Sequence, residues 1–230
     1  MKRLPVTLTE TEVEALRQAL ATTSTTRLRN RVIVEAILGA GLRVSEVCAL
    51  KGADVDLTEG TIRVNLGKGK KDRVVPVDNE TLAWLRAWAE RREALGLNGR
   101  APFFPAVHKD ALGKPLSPLQ VQRMVASAAR RAGIEGKRVS PHVLRHTYAT
   151  RLLREGFTIR EVQELLGHAS VATTQIYTHV DPQALKEKVQ GNRATEAEKI
   201  AKALLEVLPP DVREALAVVL PQKQFDRGTQ

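Results

Sequence analysis

Signals that start an α-helix recur along most of this chain, and they constrain its fold more than any other feature. Each signal precedes apolar residues that return at helical spacing, which favours amphipathic helices packed on a common core. The signals are the capping-box patterns Thr9-x-x-Glu12 and Thr158-x-x-Glu161 and the Ser-Pro pairs at 117–118 and 140–141. The chain is therefore predicted to be mainly α-helical.

The predicted helices have approximate bounds from the apolar spacing and from glycines. A helix over about 29–38 should end at Gly39, and Gly41-Leu42-Arg43 should open the next. Further helices are predicted over about 10–21, 80–93, from Ser117, from Ser140 to about 154, and from Thr158 to Leu166.

One interval breaks the helical pattern. The stretches 54–57, 61–64 and 73–77 are short and β-branched, and Gly60 and the turn Gly67-Lys68-Gly69 separate them. They predict three short antiparallel strands with a basic hairpin. The fold class is thus α+β, mainly α with a small antiparallel three-stranded sheet.

The net charge of +10 sits in the body of the chain. Residues 194–230 carry five basic and six acidic side chains and read as a neutral helical extension, so the excess falls on a domain predicted over 1–193. A folded basic body favours a polyanionic partner, nucleic acid first, although a merely soluble basic protein remains open on charge alone.

Several classes of protein are excluded or disfavoured by what the chain contains. Cys48 is the single cysteine, which excludes a disulfide framework and a multi-cysteine metal site. No apolar run approaches the roughly 18 residues of a membrane span, and the first residues do not form a signal peptide. We expect a cytoplasmic protein with no membrane association.

Two motifs suggest a zinc site and a nucleotide-binding P-loop, but the residues in them do not match either pattern. His142 and His146 have the i, i+4 spacing of zinc ligands, but Val143 stands where the general-base glutamate would be and Arg145 would put a cation beside the metal. The glycines around Lys68 lack P-loop spacing. Neither a metal nor a nucleotide is expected.

Scarce polar and aromatic residues cluster late in the chain. Four of the five histidines and both tyrosines, Tyr148 and Tyr177, fall between residues 142 and 179. Arg43 opens a predicted helix with Glu46 at i+3, where a carboxylate can orient the guanidinium. Each of these features alone is an ordinary surface pattern.

Together the motifs resemble the signature boxes of the tyrosine site-specific recombinases, of the phage integrase and Xer type. The order and the separations of the boxes also fit, and the similarity runs over about 5–190. The boxes are Ala40-Gly41-Leu42-Arg43-Val44-Ser45-Glu46, Gly67-Lys68-Gly69-x-Lys71-x-Arg73, Ser140-Pro141-His142-x-Leu144-Arg145-His146, Leu165-Leu166-Gly167-His168 and Thr173-Thr174-x-x-Tyr177-x-His179.

The resemblance implies an enzyme that cleaves and rejoins DNA strands through a 3′-phosphotyrosine, without metal or other cofactor. Tyr177 would be the nucleophile, and His142 would assist its deprotonation. Lys68 would protonate the leaving 5′-oxygen. Arg43, Arg145 and His168 would bind the oxygens of the scissile phosphate, where the planar, always charged guanidinium is well suited.

The resemblance also implies supporting residues and partners. Glu46 and His146 would support the catalytic groups, and Lys70, Lys71 and Arg73 would contact DNA phosphates. The partner would be a duplex recombination site, bound by a tetramer that is a monomer or weak oligomer without DNA. The family's usual helical DNA-binding domain would end where this chain begins.

Two other functions remain open. The chain could be a DNA-binding regulator or competitor that keeps the fold without complete recombination activity. It could also be a topoisomerase that relaxes supercoiled DNA, because such enzymes use similar chemistry.

Overall fold

The computed structural model describes residues 6–21, 24–65, 72–167 and 185–191. The helices are α1 (Glu10–Gln18), α2 (Thr25–Ala40), α3 (Val44–Ala49), α4 (Asn79–Ala94), α5 (Pro118–Arg131), α6 (Pro141–Arg154) and α7 (Ile159–Leu166), and 185–191 is also helical. The strands are β1 (Val55–Asp56), β2 (Thr61–Val64) and β3 (Arg73–Pro76). The predicted fold class is confirmed.

Local capping explains where most helices begin. The hydroxyl of Thr9 accepts a hydrogen bond from the backbone N–H of Glu12, and the Glu12 carboxylate accepts one from the backbone N–H of Thr9. The same reciprocal pair starts α5 and α7, so the capping-box predictions are confirmed. Ser140 precedes α6 without a side-chain cap, and Pro141 supplies the helical φ there.

The predicted end of α2 at Gly39 is wrong. The helix continues to Ala40, and Gly41 ends it in the left-handed conformation with φ +60°. Gly39 lies inside the helix because α4 packs close to it: a Cβ built there would lie 1.9 Å from Oγ1 of Thr81. The glycine thus marks a close helix–helix contact, which the sequence alone does not distinguish from a stop signal.

The three strands form one antiparallel sheet in the order β1-β2-β3. Ile62 pairs with Val75 and Val64 pairs with Arg73, which places Arg73 at the end of β3 that follows the predicted hairpin turn. The prediction for β2 is confirmed residue for residue, whereas β1 and β3 are shorter than predicted.

α2 forms the centre of the main core. Every residue from Val32 to Ala40 is buried, and the helix packs against both α4 and α6. A second apolar cluster joins α6, α7 and the helical segment 185–191 through Tyr148, Leu165, Leu166, Leu185 and Val189, among others. α6 therefore contributes to both apolar clusters, and its buried polar residues Arg145 and Thr147 lie between the parts of the helix that do so.

Among the described residues, no helix has both the length and the apolar character needed to cross a bilayer. Contacts divide the chain into a unit of residues 1–190 and a unit of residues 191–230. The second unit, apart from Gly191, lies outside the described residues, and so does the extension predicted over 194–230.

Candidate active site

Arg43 and Glu46 lie together at the start of α3. The Glu46 carboxylate accepts a hydrogen bond from the backbone N–H of Arg43 at 2.7 Å, which fixes the first turn of this short helix. The same carboxylate accepts from Nη1 of Arg43 at 2.9 Å. The predicted i, i+3 pair is therefore present, and it orients a guanidinium whose side chain is 34% exposed.

Arg145 reaches the same place from α6. Its guanidinium donates to the carbonyl of Gly41, at the end of α2, and to the carbonyl of Leu166 at 2.6 Å. Nη1 of Arg145 lies 3.9 Å from the Glu46 carboxylate. The structure thus brings together Arg43, Glu46 and Arg145, which come from two motifs about a hundred residues apart in the sequence.

Arg73 also belongs to this cluster. The sequence predicts that it contacts DNA phosphates beside Lys70 and Lys71, and in the structure its Nη1 and Nη2 donate to the two oxygens of Glu46 at 2.8 and 3.0 Å. One signal could have shown this, since strand alternation puts Arg73 on the same face of β3 as the buried Val75.

The end of α7 supplies a second set of acceptors. Nε of Arg73 donates to the carbonyl of Leu165 at 3.3 Å, Arg145 donates to Leu166, and Nη2 of Arg43 donates to Gly167 at 3.0 Å. The last carbonyls of a helix lack intrahelical partners and carry partial negative charge. Three consecutive carbonyls therefore hold three guanidinium groups side by side.

The cluster is strongly cationic. Burial by itself would raise the pKa of Glu46, but hydrogen bonds and charge from Arg73 and Arg43 outweigh it and lower that pKa to about 2. Burial, assisted by Arg43 and Arg73, lowers the pKa of Arg145 to about 10. At neutral pH one carboxylate therefore faces three protonated guanidinium groups, and the excess positive charge suits a phosphate diester.

The two described histidines of the motif lie on α6 beside Arg145. His142 is in the first turn and exposed, three residues before Arg145. His146 is also exposed, and partial burial together with His142 and Arg145 lowers its pKa. The imidazole of His146 therefore takes up a proton less readily than a free histidine does.

Tyr148, one of the two tyrosines of the chain, is packed in the interior. Its ring is buried against α2, where a Cβ on Gly41 would lie 2.5 Å from Cδ1. Its hydroxyl has no hydrogen-bond partner in the described part of the chain, and burial raises the pKa of the phenol. Tyr148 is therefore a core residue that no phosphate can reach.

The remaining predicted site residues lie outside the described residues. These are Lys68, Lys70, Lys71, His168 and Tyr177. His168 directly follows Gly167, whose carbonyl accepts from Arg43.

Solved structures of similar fold define the class of protein. The crystal structure of XerA recombinase superposes with a TM-score of 0.64 at 39% sequence identity, over 80% of this chain and 64% of that chain. A XerH site-specific recombinase bound to difH substrate superposes with a TM-score of 0.57 at 28% identity, over 73% and 48%. The fold is that of a tyrosine-recombinase catalytic domain.

Sequence comparison gives the family. Residues 6–184 match the Phage integrase family. Tyrosine recombinase XerA of Pyrococcus furiosus is 41% identical over 189 residues, or 82% of this chain and 62% of the relative. Tyrosine recombinase XerD of Xanthomonas campestris is 40% identical over 193 residues, or 80% and 58%. The chain belongs to the phage integrase family, and it spans about three fifths of the length of these curated relatives.

Proposed function

We propose that the chain is the catalytic domain of a site-specific DNA recombinase that cleaves and rejoins strands through a 3′-phosphotyrosine. The observation that carries this proposal is the cluster of Arg43, Arg73 and Arg145 around the single carboxylate of Glu46. Such a cluster offers fixed positive charge to a phosphate whose negative charge grows in the transition state. Membership of the phage integrase family supports the same chemistry.

In the proposed reaction, one bond to phosphorus forms as another breaks, and two protons are transferred. The phenolic oxygen of Tyr177 forms a bond to phosphorus while the bond from phosphorus to the 5′-oxygen breaks. The phenol proton leaves with assistance from His142, and Lys68 donates a proton to the departing 5′-oxygen. Arg43, Arg145 and His168 hold the non-bridging oxygens, and rejoining is the same step in reverse.

The burial of Tyr148 supports Tyr177 as the nucleophile. A phenol has a pKa of about 10 and needs access to phosphate and to a base. Tyr148 has neither, because its ring is enclosed by the core and burial raises its pKa further. Tyr177 is the other tyrosine of the chain.

The partner, organisation and location belong to the same proposal. Duplex DNA is the partner, as it is in the XerH structure bound to difH substrate, and four copies assemble on the recombination site. Residues 1–193 form the catalytic domain and 194–230 a helical extension. The protein acts in the cytoplasm, where chromosomal or phage DNA is accessible.

The test is covalent trapping on DNA. The substrate is a pool of nicked duplexes with a randomised segment. Cleavage releases a short fragment with a 5′-hydroxyl, and its loss prevents religation. The covalent adduct therefore accumulates, and its DNA can be selected and sequenced. We expect the wild-type chain to form a 3′-linked adduct on the selected duplex. Tyr177→Phe should abolish the adduct and leave DNA affinity unchanged, since it removes only the attacking oxygen.

Tyr148→Phe is the matched control. It removes a buried hydroxyl without a described partner, which costs little stability, and the adduct should persist. An adduct that survives Tyr177→Phe would contradict the nucleophile assignment. DNA binding without any wild-type adduct would favour the non-catalytic regulator, and relaxation of supercoils without strand exchange would favour a topoisomerase.

A further inference from the structure

On the basis of the proposed function, we propose that Arg73 is a positioning residue for strand cleavage: it holds the Glu46 carboxylate so that Arg43 and Arg145 present their charge to the scissile phosphate. This role differs from the phosphate contact predicted for Arg73 from its place beside Lys70 and Lys71.

The geometry of the carboxylate is set mainly by Arg73. Its two terminal nitrogens each donate to a different oxygen of Glu46, at 2.8 and 3.0 Å, which fixes the plane of the carboxylate. The same two oxygens then accept from Nη1 and from the backbone N–H of Arg43, at 2.9 and 2.7 Å. A carboxylate held in this plane fixes the position of the Arg43 side chain and of the first turn of α3.

Arg73 also changes how much positive charge the other two arginines offer. Glu46 has one negative charge, and Arg73 neutralises part of it through two charge-assisted hydrogen bonds. Without Arg73, the carboxylate would interact with Arg43 and Arg145 alone and would compete with the phosphate for them. The fork of Arg73 therefore orients Glu46 and offsets its charge at the same time.

The environment of Arg73 is that of an anchored group. Its side chain is 12% exposed, against 34% for Arg43. All three guanidinium nitrogens donate to protein acceptors, two to Glu46 and one to the carbonyl of Leu165. Gly167 leaves room for it, because a Cβ there would lie 2.8 Å from Cδ of Arg73. A side chain held on every nitrogen is poorly placed to follow a DNA backbone.

The experiment compares Arg73→Gln and Arg73→Lys with Arg63→Gln. Arg63 is an exposed arginine on the adjacent strand β2, so its replacement removes the same charge from the same sheet. On the selected nicked duplex, we expect Arg73→Gln to slow single-turnover cleavage about 10- to 100-fold, the scale of a misplaced catalytic group. Its Kd for DNA should stay within about twofold of the Kd of Arg63→Gln. Arg73→Lys keeps the charge without the fork and should recover part of the rate.

A substrate with a neutral methylphosphonate at the scissile position separates positioning from folding. This linkage has one fewer charged oxygen and needs less guanidinium charge, so the defect of Arg73→Gln should shrink on it. A fold-related loss would have the same size on both substrates, and urea unfolding of each variant reports that loss directly.

The outcomes distinguish the two proposals. A wild-type chain that forms no adduct overturns the proposed function and this inference with it. A wild-type adduct together with an unslowed Arg73→Gln overturns the inference alone. Equal defects on phosphate and methylphosphonate, or a Kd weakened by the same factor as the rate, would likewise overturn it, the latter in favour of a direct phosphate contact.

Discussion

Glu46 shows how a buried acid can serve a site built for an anion. Its side chain is 7% exposed and would repel a phosphate if it stood alone. Three guanidinium groups surround it, so the cluster keeps excess positive charge while the carboxylate holds those groups at fixed distances. Breaking such a buried network leaves uncompensated cations and is strongly destabilising.

The acid sensitivity of the fold should depend on Glu46. Its pKa falls from an ordinary value of 4.5 to about 2, which corresponds to about 3 kcal/mol of stability. Because the folded-state pKa is the lower one, this contribution is complete above about pH 4.5 and is lost as the pH falls towards 2. The free energy of unfolding of the wild type should therefore decrease more steeply over this range than that of Glu46→Gln.

Urea denaturation at a series of pH values measures the difference. Glu90→Gln, which alters an exposed acid on α4, serves as the control and should follow the wild-type curve. Parallel curves for the wild type and Glu46→Gln would contradict the assignment of Glu46 as the acid-sensitive group.

At the scale of elements, the C-terminus of α7 organises the site. Its last carbonyls accept from Arg73, Arg145 and Arg43, and Gly167 ends the helix with φ +63°. The end of α7 thereby contacts β3, α6 and the residue that precedes α3, which are distant from one another in the sequence. We therefore expect a small substitution at Gly167 to slow DNA cleavage in addition to lowering the stability of the fold.

Gly167→Ala and Gly156→Ala form a matched pair for this prediction. Both glycines have positive φ, +63° and +84°, so each alanine costs roughly 1–2 kcal/mol of backbone strain. A Cβ at Gly167 would also displace Arg73, whereas a Cβ at Gly156 meets nothing within 4 Å. We expect both variants to lose stability in urea, Gly167→Ala more because Arg73 must also shift, and only Gly167→Ala to cleave DNA more slowly. Equal cleavage rates in the two variants would contradict the coupling.

At the scale of the whole molecule, the net charge of +10 predicts salt-sensitive DNA binding. Each neutralised phosphate contributes a slope of about −0.9 to log K against log salt concentration. Replacing both Lys70 and Lys71 by Gln should therefore make the slope shallower by about 2.

The control replaces Lys109 and Lys114, two exposed lysines between α4 and α5, by Gln. It makes the same change in net charge and should leave the slope unaltered. Fluorescence anisotropy of a labelled duplex over a range of salt concentrations gives both slopes. Equal changes in the two variants would show that only the overall charge matters.

Much of the fold was predictable because its signals are local. A capping box spans four residues and acts wherever the flanking pattern is helical, so the starts of α1, α5 and α7 followed from the sequence. The alternation in β2 was equally local. The pairing of Arg43 with Glu46 was also predictable, because i and i+3 on one helical turn face each other.

The sequence by itself determined the starts of α1, α5 and α7, the class of fold and the motifs that identify the family. The tertiary structure alone decided that α2 runs through Gly39, that Arg73 belongs to Glu46 and that the end of α7 holds three arginines. The reason is distance along the chain: Arg73 and Glu46 are 27 residues apart, and Arg43 and Gly167 are 124 apart. Contacts over such separations leave no local pattern, and they form because burying a charged group requires a partner that only the packed elements bring to it.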